Sequence, residues 1–116
     1  TASGSDSIAA ADLVLNTTGL DPGQPGLYFQ GDNRVAMGLG VSFGDGLRCA
    51  GSRVVRMQVV TADFFGDSST SLDVAMAGGV SAGDVKRYQL WYRNPGVSAC
   101  LTGFNLTNGY EIAWTP

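Results

Sequence analysis

The sequence contains no histidine. That removes the commonest general base, the Ser-His and Cys-His nucleophile pairs, and most catalytic zinc sites. Lysine occurs once, as Lys86, and glutamate once, as Glu111. A nucleic-acid surface needs a basic surplus to displace counterions from phosphates. Seven Lys and Arg against ten acids leave a net charge of −3, which argues against such a partner. No run approaches the roughly 20 apolar residues of a membrane-spanning helix, so insertion is not expected either. Cysteine is limited to Cys49 and Cys100, and two thiols without histidine cannot complete a four-ligand zinc site.

What is present points to strands and turns. Apart from Glu111 the acids are all aspartates, which favour turns, whereas helix interiors favour Glu and Lys. Seventeen glycines and four prolines imply many reversals of a short chain. A length of 116 residues fits one domain, and residues 1–10 are expected to form a flexible N-terminal segment. The opening TASGSDSIAAAD reads as a chain begun after leader cleavage or cut from a longer protein.

The dominant period is two, that of strands. Strands are expected near residues 12–17, 27–30 and 34–43, then over the short LRCAG, 53–61 and 86–93. Alternation puts Val55, Met57 and Val59 on one face of RVVRMQVVT, with Arg56 and Gln58 on the other. In SLDVAMA it turns Leu72, Val74 and Met76 inward as a further strand. Asn108-Gly109 reads as the two-residue turn of a hairpin, with Phe104 and Leu106 facing inward beside Tyr110, Ile112 and Trp114. The fold class expected is all-β: an antiparallel β-sandwich, Ig-like or jelly-roll-like, of eight or nine short strands. A closed barrel is the alternative.

The glycine-rich VSFGDGLRCAG lacks the Gly-Lys-Ser/Thr ending of a phosphate loop and precedes no helix, so it reads as a turn between strands. The aspartates sit in turn-like stretches, and nothing pairs two carboxylates across a cleft as a glycosidase requires. No enzyme is expected. Loop aspartates could hold calcium, with Asp63 and Asp67 in DFFGDSS the nearest pair, although turns recruit Asp in any case. No other cofactor is implied.

The stretch RYQLWYRNP carries the clearest binding candidate. Alternation separates Tyr88, Leu90 and Tyr92 from Arg87, Gln89, Trp91 and Arg93. The second row sets one indole among planar polar groups, which suits stacking on a sugar ring and bonding its hydroxyls. Arg56 and Gln58 extend the row if their strand shares the sheet. The alternative places Trp91 in the core, with the arginines solvating an edge.

The stretches GLYFQGDNRVAMGLGVSFGDGLRCAG, YQLWYRNPG and GFNLTNGYEIAW resemble a β-rich C-terminal domain found on secreted proteins of planctomycetes and myxobacteria-like bacteria. They cover about half of the chain. The resemblance implies an exported, non-catalytic accessory domain. That family usually has a further cysteine in its last strand, where this chain has Trp114 and Thr115, which leaves Cys100 as the partner of Cys49. The expected function is extracellular binding of a polysaccharide or cell-surface component. The alternative is a self-associating structural unit with weakly charged strand edges.

An even cysteine count in a small exported chain fits one disulfide, with two buried thiols as the other possibility. A Cys49–Cys100 bridge would close a loop worth about 4 kcal/mol in the chain-entropy description. Dithiothreitol should therefore lower the melting temperature markedly. An unchanged melt, with both thiols titrating in the native protein, would refute the bridge.

Overall fold

The computed structural model describes residues 1–31, 33–34, 41–43, 46–48, 50–51, 54–93, 104–107 and 109–116. Cys49, Cys100, Asp32 and Asp45 lie outside the described residues, and with them the expected disulfide. The protein is built mostly of strands, in two main antiparallel sheets that do not close into a barrel.

The smaller sheet joins β1 (Ala2–Ser3), β2 (Val14–Thr17) and β9 (Ser68–Ser69). Residues near the N-terminus are tied into it: Ala2 lies opposite Leu15, and Ser7 bridges to Thr115. The larger sheet runs β11 (Phe104–Leu106), β10 (Val85–Arg93), β3 (Pro25–Gly31), β8 (Val55–Thr61), with β12 (Tyr110–Ala113) also on β10. Two short pairs complete the ladders. Asn33–Arg34 (β4) pairs with Ala50–Gly51 (β7), and Val41–Phe43 (β5) with Gly46–Arg48 (β6). In the second pair Phe43 lies opposite Gly46, the spacing read from FGDG.

The main core lies between the two large sheets. Leu13 and Leu15 meet Tyr28, Tyr88, Leu90, Ile112 and Trp114 there. The reverse face of the larger sheet is not bare, since Phe29 and Leu106 are buried on it with Trp91 packed beside them.

SLDVAMA is a helix rather than a strand. Val74–Gly78 (α1) starts from Asp73, whose Oδ1 accepts the Met76 N–H at 3.2 Å. It ends at Gly79, left-handed at φ 62°, with the Gly79 N–H donated to Met76 O and the Val80 N–H to Ala75 O. An Asp cap and a Gly stop at this spacing are helix punctuation, and they override a strand pattern only a few residues long. Val74 and Ala75 are buried, while Met76 points to solvent.

Two register shifts redistribute the faces. On β8, Gln58 pairs with Tyr28 but Arg56 pairs with Phe29, so Met57 is an extra residue. A bulge of this kind reverses the alternation beyond it. Val55 and Met57 therefore turn towards the main core, whereas Val59 joins Arg56 on the other face and stands 66% exposed.

The second shift replaces the expected hairpin. β11 and β12 are not paired with each other among the described residues. Both lie antiparallel along the same edge of β10, Leu106 opposite Trp91 and Tyr110 opposite Tyr88. Leu106 thus falls on the Trp91 face and Ile112 in the main core. Thr107 seals the gap between them. Its N–H donates to Leu90 O at 3.0 Å, and its hydroxyl accepts the Leu90 N–H at 2.9 Å. The Thr107 carbonyl accepts instead from Gln89 Nε2 at 2.6 Å. Thr70 does the same beyond β9: its N–H donates to Leu15 O, and its hydroxyl accepts the Leu15 N–H, both at 3.0 Å.

A buried chain of side-chain hydrogen bonds links the layers. Trp114 Nε1 donates to the Tyr88 hydroxyl at 2.9 Å, which donates to Gln30 Oε1 at 2.7 Å. Gln30 Nε2 donates to Gly78 O at 3.1 Å. A Cβ at Gly78 would overlap Gln30 Oε1, so glycine is what lets the amide reach the helix end. Tyr88→Phe would strand the Trp114 N–H and the Gln30 carbonyl at a cost of about 1–3 kcal/mol. For a domain of this size that lowers the melting temperature by about 4–12 °C. Calorimetry checks it, and a shift below 2 °C would mean that water or repacking replaces the hydroxyl (the threshold is about half a kcal/mol).

Candidate functional site

The residues expected to bind a ligand do not act as one exposed row. Arg87, Gln89, Trp91 and Arg93 share a face of β10, and Arg56 joins them through its pairing with Phe29. Gln58 lies on the opposite face, carried there by the Met57 bulge. Its amide is engaged with Ser71: Nε2 donates to Ser71 Oγ at 2.8 Å, and Oε1 accepts the Ser71 N–H at 2.9 Å. Gln89 is only 2% exposed and bonds the Thr107 carbonyl. Trp91 packs on Phe29 and Leu106. Arg87 Nε lies 3.0 Å from Glu111 Oε2, across a directly opposed strand pair. Arg93 is exposed at the strand end. Packing and pairing thus engage most of the row.

Asp63 serves its own turn. Its Oδ1 accepts the N–H groups of Phe65 at 2.9 Å and Asp67 at 3.0 Å. Among the described residues no three acidic, cysteine or histidine side chains converge on one point.

The opposite face of β10 borders a groove of about 290 Å³ between the two large sheets. All four tyrosines of the chain, Tyr28, Tyr88, Tyr92 and Tyr110, line it. Thr17, Thr18 and Thr107 bring hydroxyl groups to it, and the Asn16 amide, bonded to Ser3, Val14 and Ser69, lies beside them. No Asp, Glu, Lys or Arg is among the described residues that line it.

The tyrosines divide by burial. The Tyr28 hydroxyl is fixed inside, 2.7 Å from Ser68 Oγ and 3.1 Å from Thr17 Oγ1. Tyr88 forms part of the buried chain. Tyr92 is half-buried and Tyr110 is 39% exposed, so these two rings can meet a ligand. Tyr110 sits directly across from Tyr88, and Tyr92 is four residues further along β10. At the strand rise that is about 13 Å along the sheet.

Such a groove combines aromatic faces with neutral donors and acceptors. It suits a polyhydroxylated, uncharged ligand, and among the described residues it offers no charged side chain to an acidic or basic one. The sequence shows Tyr88, Leu90 and Tyr92 as one row. It does not show that a second sheet stops short of covering that row. The chain matches no protein-family profile, no curated protein and no solved structure.

Burial pushes the Tyr88 hydroxyl well above the usual tyrosine range, against the lowering effect of the Trp114 bond and with a further rise from the Asp84 carboxylate. The folded state therefore holds Tyr88 neutral. Its contribution to stability is complete below the unfolded value of about 10 and is lost as the pH rises beyond it. In an alkaline titration followed at the phenolate absorbance band, Tyr88 should ionise only as the protein unfolds, and Tyr88→Phe should remove that delayed component. Smooth titration of all four tyrosines in the folded protein would contradict this.

Proposed function

We propose that this protein is a secreted, non-catalytic binding module that holds neutral polysaccharide in the tyrosine-lined groove. The observation that carries the reading is the gathering of every tyrosine of the chain around one cleft whose described lining has hydroxyl groups and no charged side chain. Burying a sugar needs aromatic faces for its C–H surface and a partner for each hydroxyl, and this lining offers both. The volume lies near the small end of the roughly 300–1,000 Å³ of small-molecule sites, which suits a short stretch of chain. Tyr92 and Tyr110 act as stacking platforms at its two ends, and Asn16, Thr17 and Thr107 bond hydroxyls between them.

The two main sheets facing one core support a β-sandwich as the finer fold. The resemblance to accessory domains of secreted bacterial proteins supports export and a Cys49–Cys100 bridge. The absence of histidine supports a role without catalysis. The row around Trp91 becomes the weaker candidate surface, because packing occupies much of it.

Titration calorimetry against a panel of neutral and uronic-acid oligosaccharides tests the reading. Binding should be confined to neutral chains. Tyr92→Ala or Tyr110→Ala should weaken it tenfold or more, about 1.4 kcal/mol, while Trp91→Ala leaves it unchanged. Loss through Trp91→Ala alone would move the site to the other face, and absence of binding to every glycan would end the proposal.

A further inference from the structure

β8 is the outermost strand of the larger sheet among the described residues. It spans seven residues at the end of the larger sheet, and among the described residues no strand pairs with its outer edge. Sheets ordinarily protect such an edge with lysine, proline, very short strands or a covering segment. Val55–Thr61 contains no lysine and no proline, and Arg56 is its one charge. The Met57 bulge is the one protective feature on it.

Exposed apolar groups gather on the same stretch. Val54 is 41% exposed, Val59 66%, Phe64 86% and Phe65 81%. The two phenylalanine rings stack edge to face with centroids 5.7 Å apart, just past the end of the strand. Their turn is held by the Asp63 carboxylate, so the rings are presented on ordered backbone rather than on a loose loop. Holding this much apolar surface in water is unfavourable unless a partner covers it.

Charge is distributed to match a second copy. Arg56 lies near the start of the strand, and Asp63 and Asp67 follow its end. Antiparallel pairing of the strand with itself sets the basic start of one copy beside the acidic end of the other. It also closes under a two-fold axis, so assembly stops at two. The register that buries both exposed Val59 side chains against each other places Arg56 opposite Ala62 of the partner subunit, one residue from the partner subunit's Asp63. An in-register parallel pairing would instead put Arg56 beside Arg56.

We infer that β8 is a dimerisation edge: two copies join antiparallel through Met57–Thr61 with Val59 at the axis, fusing their large sheets into one. The groove lies between the two main sheets, away from this edge, so each dimer presents two grooves. If the proposed glycan reading also holds, the second groove raises avidity on a repeating polymer. Dimerisation does not depend on that reading. A five-residue strand overlap is a small interface, so the dimer is weak and reversible.

Sedimentation equilibrium across micromolar to millimolar concentration tests it. The unchanged protein should pass from monomer to dimer. Val59→Lys and Val59→Glu, at an exposed position that leaves the fold intact, should each weaken the dimer at least tenfold with unaltered melting temperature. Mixing the two variants should restore a dimer, because opposite charges then meet at the axis. A monomer at millimolar concentration overturns the inference. So does a dimer that tolerates Val59→Lys, including one lost only through Phe64→Ser or Phe65→Ser.

Discussion

The structure depends on one buried chain of hydrogen bonds, from Trp114 through Tyr88 and Gln30 to the last carbonyl of α1. It ties the end of the polypeptide, the central strand β10, its neighbour β3 and the helix into one unit. Each member would be costly alone, because a buried polar group without a partner loses its hydration and gains nothing. Satisfied as a set, they admit one arrangement of the layers. A shift of β12 along β10 would carry Trp114 away from Tyr88, and a side chain at Gly78 would displace Gln30. Tyr88 and Gln30 also hold β10 and β3 in the register that puts Tyr92, Leu90 and Tyr28 on the groove face.

Two irregularities then decide what each face of the sheet can do. The extra residue at Met57 sends Gln58 towards Ser71 and leaves Val59 outside with Arg56. The break around Thr107 lets one edge of β10 serve two strands and divides their apolar residues between two cores. At Thr107 and again at Thr70 a hydroxyl takes the place of a carbonyl, so the backbone of a leucine stays paired while the strand ends or shifts. Threonine suits this task because its β-branch favours strand geometry and its oxygen sits close to the main chain.

Much of the candidate chemistry dissolved into structure for the same reason. Gln89, Arg87 and Trp91 have the right types for a sugar platform, but a sheet packed on both faces engages them in Thr107, Glu111, Phe29 and Leu106. Asp63, a calcium candidate beside Asp67 in the sequence, also caps its own turn through Oδ1. The groove was half legible: the tyrosines at 88 and 92 alternate visibly, whereas Tyr28 and Tyr110 reach the same cleft from distant segments through pairing alone. The helix at 74–78 was legible in principle, since Asp73 and Gly79 bracket it, but five residues give a period too short to outweigh alternation.

By itself the sequence determined the class of the molecule. Period-two patterning with glycine-rich turns required antiparallel strands, and the missing histidine and single lysine and glutamate narrowed the side-chain chemistry the chain can offer. Those properties belong to residue types and their local spacing, which the chain carries whatever its partners. Which face each residue occupies was decided only by tertiary structure. Side-chain alternation survives a strand but not a bulge, and one extra residue at Met57 or near Thr107 reverses everything beyond it. Pairing between segments tens of residues apart fixes where those extra residues fall. The groove, the outer position of β8 among the described strands and the second core all follow from that placement.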